Sequence, residues 1–157
     1  MVAVTSLLLL AVAAVTSSAS PVVEERAFPG IQFKFKGKCV DLAGGSTANG
    51  NAVQLWDCSA LSTNTETNQR WILNNNGPIR SSKGPCIDAG NNPGNGTPLK
   101  VWQCYNNYQP QTWVNHNGGI RLLNTNLCID VPGGDNRNGA RLQLWQCTGS
   151  DNQRVSF

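Results

Sequence analysis

Short runs of alternating apolar and polar residues dominate this chain from Phe33 onward. FKFKGKCVDL alternates from Phe33, AVQLW alternates from Ala52, and a polar loop then leads to RWIL at 70–73. Gly- and Asn-rich stretches such as GGSTANGN fall between them and read as turns. Period-two alternation marks half-buried strands, and no segment sustains a helical period. The pattern predicts strands of four to six residues about ten apart, and therefore an all-β chain.

The same pattern is written three times. NGNAVQLWDC (49–58), NGTPLKVWQC (95–104) and NGARLQLWQC (138–147) share Asn-Gly, an apolar–polar–apolar core, Trp and a closing Cys. Cys-Val-Asp (39–41), Cys-Ile-Asp (86–88) and Cys-Ile-Asp (128–130) precede the three phrases. A third marker, Gln-x-Trp, stands at Gln69–Trp71 and Gln111–Trp113 and decays to Gln153-Arg154-Val155, in steps of 42 residues. Three units with a period near 42, each too small to bury its own apolar face, must share one core. About four strands per unit, twelve in all, arranged around a pseudo-threefold axis give a β-trefoil.

Strand alternation then sorts the phrase into faces. Val53 and Leu55 share one face, while Gln54, Trp56 and Cys58 share the other. The split recurs as Leu99 and Val101 against Lys100, Trp102 and Cys104, and as Leu142 and Leu144 against Gln143, Trp145 and Cys147. With the aliphatic face in the core, each Trp stands outside beside a polar residue. The Asp of the Cys-x-Asp strand is its neighbour. A carboxylate, an amide and an exposed indole form a shallow pocket suited to a pyranose, whose C–H face lies on the ring while its hydroxyls meet the polar atoms.

Composition narrows the alternatives. The chain has 157 residues, 13% of them charged, and a formal net charge of +3, with Lys and Arg spread out rather than clustered. That argues against nucleic acid as a partner. The apolar run Val2–Val15 followed by TSSAS reads as a signal peptide over 1–19, cut after Ser17-Ser18-Ala19 and too short for a comfortable membrane span. A leader (20–32) containing PVVEER follows, with trimming after Arg26 as an expectation, and the domain proper covers 33–157. A secreted chain with six Cys argues for disulfides. The repeat selects Cys39–Cys58, Cys86–Cys104 and Cys128–Cys147, at intervals of 19, 18 and 19. Zinc is disfavoured, since no Cys-x-x-Cys exists and His116 is the sole His. The acidic groups stand singly, so calcium and other metals are not implied, and no cofactor is. Three equivalent Asp residues suit repeated binding rather than one asymmetric catalytic pair. KFKGK reads as a solvated edge.

These residues resemble the ricin B-type lectins, also called carbohydrate-binding module family 13, over roughly Phe33 to Phe157. The resemblance implies a secreted, non-enzymatic lectin of β-trefoil fold, a galactose-type pocket built from Asp, Gln, Trp, Asn and Gln of a repeat, and a core role for the Trp of Gln-x-Trp. Carried over by position, the first repeat supplies Asp41, Gln54, Trp56, Asn68 and Gln69, ahead of core Trp71. The third supplies Asp130, Gln143, Trp145, Asn152 and Gln153. The second departs from the pattern. Asp88, Trp102 and Gln111 remain, but Lys100 replaces the Gln and Pro110 the Asn. It also holds the single N-glycosylation sequon, Asn95-Gly96-Thr97, in the turn expected to flank its own pocket, where a glycan would block it. Two working sites and one weak or silent site are expected. Val155 in place of the third core Trp is expected to affect packing. Rival readings are a β-trefoil protease inhibitor or other protein-binding module, and a freestanding binder of xylan or other wall polysaccharide.

Overall fold

A computed structural model describes residues 30–60 and 67–157. The expected signal peptide and most of the leader fall outside the described residues. Among the described residues there are twelve short strands: β1 (Lys34–Phe35), β2 (Lys38–Leu42), β3 (Val53–Trp56), β4 (Trp71–Leu73), β5 (Ile79–Ser81), β6 (Cys86–Asp88), β7 (Lys100–Trp102), β8 (Trp113–His116), β9 (Gly119–Leu122), β10 (Leu127–Asp130), β11 (Gln143–Gln146) and β12 (Val155–Ser156). They form three four-stranded antiparallel sheets, ordered β12-β1-β2-β3, β4-β5-β6-β7 and β8-β9-β10-β11. The fold is an all-β trefoil.

The sheets do not coincide with the sequence repeats. The Gln-x-Trp strand that ends one repeat opens the next sheet, so β4 and β8 each cross a repeat boundary. The third such strand, β12, closes the ring by pairing with β1, as Lys34↔Ser156 and Phe35↔Val155. The three equivalent positions have different cross-strand partners. Trp71 faces Ser81 and Trp113 faces Leu122, whereas the smaller Val155 faces Phe35. Phe35 supplies the ring that Val155 lacks, and it packs edge-on against Phe33, which in turn meets Trp71.

One apolar cluster serves all three units. Phe33, Val40, Leu55, Ile87, Val101, Leu122, Ile129 and Leu144 are all fully buried in it. Trp71 and Trp113 are buried as expected. Their indole N–H groups donate to the carbonyls of Val40 (2.9 Å) and Ile87 (3.1 Å), so these large rings enter the core without an orphaned donor. The three local disulfides form as expected, with sequence separations of 19, 18 and 19. Each ties the Cys-x-Asp strand to the Cys two residues after the exposed-face Trp, and a loop of this size contributes about 3 kcal/mol.

Candidate functional site

Strand register builds the first pocket. In the β2–β3 ladder Cys39 faces Trp56 and Asp41 faces Gln54. Alternation sends Val40 and Leu55 into the core and leaves these four side chains on the outer face. Gln54 Nε2 donates to Asp41 Oδ1 at 3.0 Å, and Gln69 Nε2 donates to Oδ2 at 3.2 Å. Trp56 stays 44% exposed, with its ring available as a floor. Asp41, Gly44, Gln54, Trp56, Asn68 and Gln69 are among the residues lining a shallow depression of about 650 Å³. Burial pushes the Asp41 carboxyl above its ordinary value, against the amides of Gln54 and Gln69 and the Lys83 ammonium, which favour the carboxylate.

Gln69 and Asn68 take different roles in this pocket. Gln69 is only 3% exposed, and both ends of its amide are committed. Nε2 also donates to the Asp57 carbonyl (2.9 Å), while Oε1 accepts from Ser59 N (2.9 Å) and Gln32 Nε2 (3.2 Å). It positions Asp41 and the loop after β3. Asn68 Oδ1 instead accepts from Lys83 Nζ at 2.9 Å. Lys83 comes from the β5–β6 turn of the next repeat and was not foreseen.

The third pocket repeats the plan with one difference. Asp130 faces Gln143 and Cys128 faces Trp145, which is 42% exposed. Asn152 Nδ2 donates to both carboxylate oxygens, at 2.9 and 2.8 Å, fixing the group directly. Gln153 is buried and committed like Gln69, donating to the Gln146 carbonyl and accepting from Thr148 N. Burial raises the Asp130 carboxyl as well, opposed by the amides of Gln153, Asn152 and Gln143. Despite Val155, then, Asn152 and Gln153 are held firmly.

The second pocket is assembled differently. Asp88 faces Lys100 in the ladder, and the ammonium sits 4.0 Å from Asp88 Oδ1 and 4.8 Å from the centre of the Trp102 ring. The cation therefore lies over part of the Trp102 ring and faces the Asp88 carboxylate. Asp88 is further occupied by Gly90 N (2.7 Å) and Gln111 Nε2 (2.9 Å). Tyr105 and Tyr108, packed edge to face, wall a depression of about 530 Å³ with Asn91. No spacing in the sequence singled out these tyrosines.

The Asn-Gly pairs close a ring between repeats. Asn49 Oδ1 accepts from Gln103 N (2.7 Å), Asn95 Oδ1 from Gln146 N (2.7 Å), and Asn138 Oδ1 from Asp57 N (2.9 Å). In each case the amide belongs to the residue after the pocket Trp of a different repeat. Each Gly lies against that same indole. A Cβ added to Gly50, Gly96 or Gly139 would lie 3.9–4.0 Å from Trp102, Trp145 or Trp56 respectively. The expectation that Asn95 flanks the second pocket is thereby corrected, because its turn runs along β11 beside Trp145 of the third. KFKGK is also more than a solvated edge. Lys38 pairs with Asp57, and Lys36 reaches the turn at Gly134 beside the third pocket.

Residues 30–155 match the Ricin-type beta-trefoil lectin domain. The chain belongs to this family of carbohydrate-binding domains. Serine protease 1 of Rarobacter faecitabidus is 28% identical over 121 residues, covering 69% of this chain and 21% of that protein. Nigrin b of Sambucus nigra is 37% identical over 68 residues, covering 43% and 11%. This lectin-family chain thus spans about a fifth of the length of the first relative and about a tenth of the second. The C-half of an earthworm R-type lectin, solved in complex with GalNAc, superposes with a TM-score of 0.65 at 24% identity. That match covers 80% of this chain and 97% of the earthworm one, a likeness of fold. Among the described residues no helix is long and apolar enough to cross a membrane.

Proposed function

We propose that this protein is a secreted, non-enzymatic lectin that binds galactose-type glycans through its first and third repeats. The observation that carries the reading is the recurrence of one arrangement in two places. A nearly buried Asp is held by side-chain amides, faced across the ladder by Gln, and set beside a Trp more than two-fifths exposed. The held carboxylate accepts from two neighbouring hydroxyls, each such bond contributing about 1.5–3 kcal/mol, and the indole takes the apolar face of the sugar. The GalNAc carried by the earthworm lectin half is of the same sugar class. Lys100 sets the second pocket apart. Shallow sites of this kind bind near millimolar, about −4 kcal/mol each, and two on one rigid body gain by avidity.

A glycan array with free galactose, lactose and N-acetylgalactosamine as competitors tests the proposal. Competable binding to terminal galactose-type glycans is expected from protein freed of N-glycan, weakened by Trp56→Ala or Trp145→Ala and abolished by both together. Strong residual binding in the double variant would place the activity in the second repeat. A blank array from folded protein would end the galactose reading, and binding to xylan instead would replace the sugar class.

A further inference from the structure

We infer that Asn95 is an N-glycan acceptor and that its glycan covers Trp145, so that modification of the second repeat controls sugar access to the third. This inference rests on the third pocket being a sugar site.

The argument begins with the three Asn-Gly turns, which are equivalent in the fold. Only Asn95-Gly96-Thr97 has the hydroxyl two residues on that makes Asn an acceptor, since Asn51 and Ala140 stand at the matching positions. Asn95 is exposed, at a turn tip. The segment lies tightly along β11. Gly96 N donates to Leu144 O and Leu144 N to Thr97 O, both at 2.8 Å, and Pro98 bridges to Gln143. These bonds flank Trp145 on its own strand.

Attachment is compatible with the fold. A glycan bonds to Nδ2 and leaves the carbonyl Oδ1 intact, so the 2.7 Å bond from Gln146 N survives and orients the linkage. Asn138, the counterpart beside Trp56, donates its own Nδ2 to Asp57 at 2.7 Å and has no sequon. The bond from Gln146 N holds the Asn95 carboxamide at the residue after Trp145, and Gly96 presents bare backbone beside the edge of that indole, so the linkage leaves the acceptor on the Trp145 side. The pyranose C–H face of the first sugar suits the Trp145 ring as well as a free sugar does. One pocket is then covered by the protein's own glycan, and the first stays open.

The test uses the full chain secreted from a eukaryotic host, with intact mass reporting occupancy of Asn95. Three samples are compared: the glycosylated protein, the same protein after peptide N-glycosidase, and Thr97→Ala. The enzyme leaves an aspartate whose oxygen still accepts from Gln146 N, so the fold is not disturbed. Hydroxyl-radical footprinting reads each Trp separately. Trp145 is expected to oxidise several-fold more slowly in the glycosylated protein than in the other two, with Trp56 and Trp102 unchanged. Protection of Trp102, equal reactivity of Trp145 in all three, or an unmodified Asn95 would overturn the inference. Lactose titration in a Trp56→Ala background adds the functional arm, where binding is expected only once the glycan is absent. Protection of Trp145 without lactose binding in any sample would remove the sugar-site reading of the third pocket, and the control of sugar access with it. Equal binding with and without the glycan would overturn the control alone.

Discussion

Gln69→Ala separates a side chain that touches sugar from one that holds the group that does. Gln69 is 3% exposed and sits among Asp41, the Asp57 carbonyl, Ser59 and Gln32. Truncation removes one bond to a carboxylate, in the range of about 1.5–3 kcal/mol, and several neutral bonds whose partners lie near enough to solvent to recover much of their value. The net cost to folding is about 3 kcal/mol. With a urea slope near 2 kcal/mol/M, the unfolding midpoint falls by about 1.5 M. The third pocket keeps its own clamp in Gln153, so its affinity is unaffected.

Two assays read the variant together: urea unfolding by tryptophan fluorescence, and lactose titration in a Trp145→Ala background that isolates the first pocket. Lower stability and several-fold weaker binding are both expected, because Asp41 loses a donor and gains freedom. Gln54→Ala is the contrast. Gln54 is half-buried and makes only the one bond to Asp41, at the low end of that range, so its loss weakens binding with a midpoint shift of about 0.75 M, half that of Gln69→Ala. If Gln69→Ala weakened binding while leaving the midpoint unchanged, the positioning role would be refuted and Gln69 would be a direct contact.

Other predictions follow from the same geometry. Lys100→Gln withdraws the cation from Trp102 and Asp88 and restores the pairing seen at Gln54 and Gln143; a third, weak lactose site should appear by titration, limited by Pro110 in place of the Asn. Val155→Trp alone overpacks the position opposite Phe35 and costs about 1–3 kcal/mol. Combined with Phe35→Ser it recreates the Trp71↔Ser81 pairing, so a double-mutant cycle should show favourable coupling of about 1 kcal/mol or more by urea unfolding. Replacing Cys39 and Cys58 together by Ala should cost about 3 kcal/mol and reduce binding in the first pocket, because Cys39 faces Trp56. Burial raises the Asp41 and Asp130 carboxyls, so lactose affinity should fall on acidification at a pH above the ordinary Asp value of about 3.9. The stability contribution of these two groups runs the other way: it is present below the unfolded value and lost as pH rises through the raised native values.

Much of this was legible in the sequence because strand alternation and a fixed period are local signals. Val53 and Leu55 had to share a face, the Cys spacing had to repeat, and the Cys-x-Asp and Gln-x-Trp markers had to recur together. What the alternation does not encode is which repeat stands beside which. Asn95 was placed next to Trp102 because both belong to one repeat, whereas the ring of Asn-Gly turns sets it against Trp145. Lys83 and Lys36 escaped for a related reason. A long flexible side chain in a polar turn carries no periodic signature, and its destination depends on the neighbouring unit. Gln69 was carried into the pocket by the family resemblance, and only three-dimensional burial reveals that its amide is already spent.

The second repeat shows which parts of the motif the fold itself needs. It has lost the Gln and the Asn of the pocket, yet it keeps Asp88, Gln111 and an Asn-Gly turn. Each retained residue has work in the fold. Asp88 accepts from Gly90 N and from Gln111, Gln111 ties the loop at Gln103 and Tyr105, and Asn95 of the Asn-Gly turn accepts from Gln146 N of the third repeat. Removing such an Asp would leave buried donors without a partner, a cost of about 1–3 kcal/mol for each, whether or not a sugar ever binds. The Asp alone is therefore weak evidence for a lectin pocket, since the fold needs it with or without a sugar. On the proposed function, the residues that distinguish the first and third pockets from the second are the ones the fold can spare. Gln54 and Gln143 face the Asp from across the ladder with an outward side chain, and Lys100 in their place leaves the disulfide, the core and the ring intact.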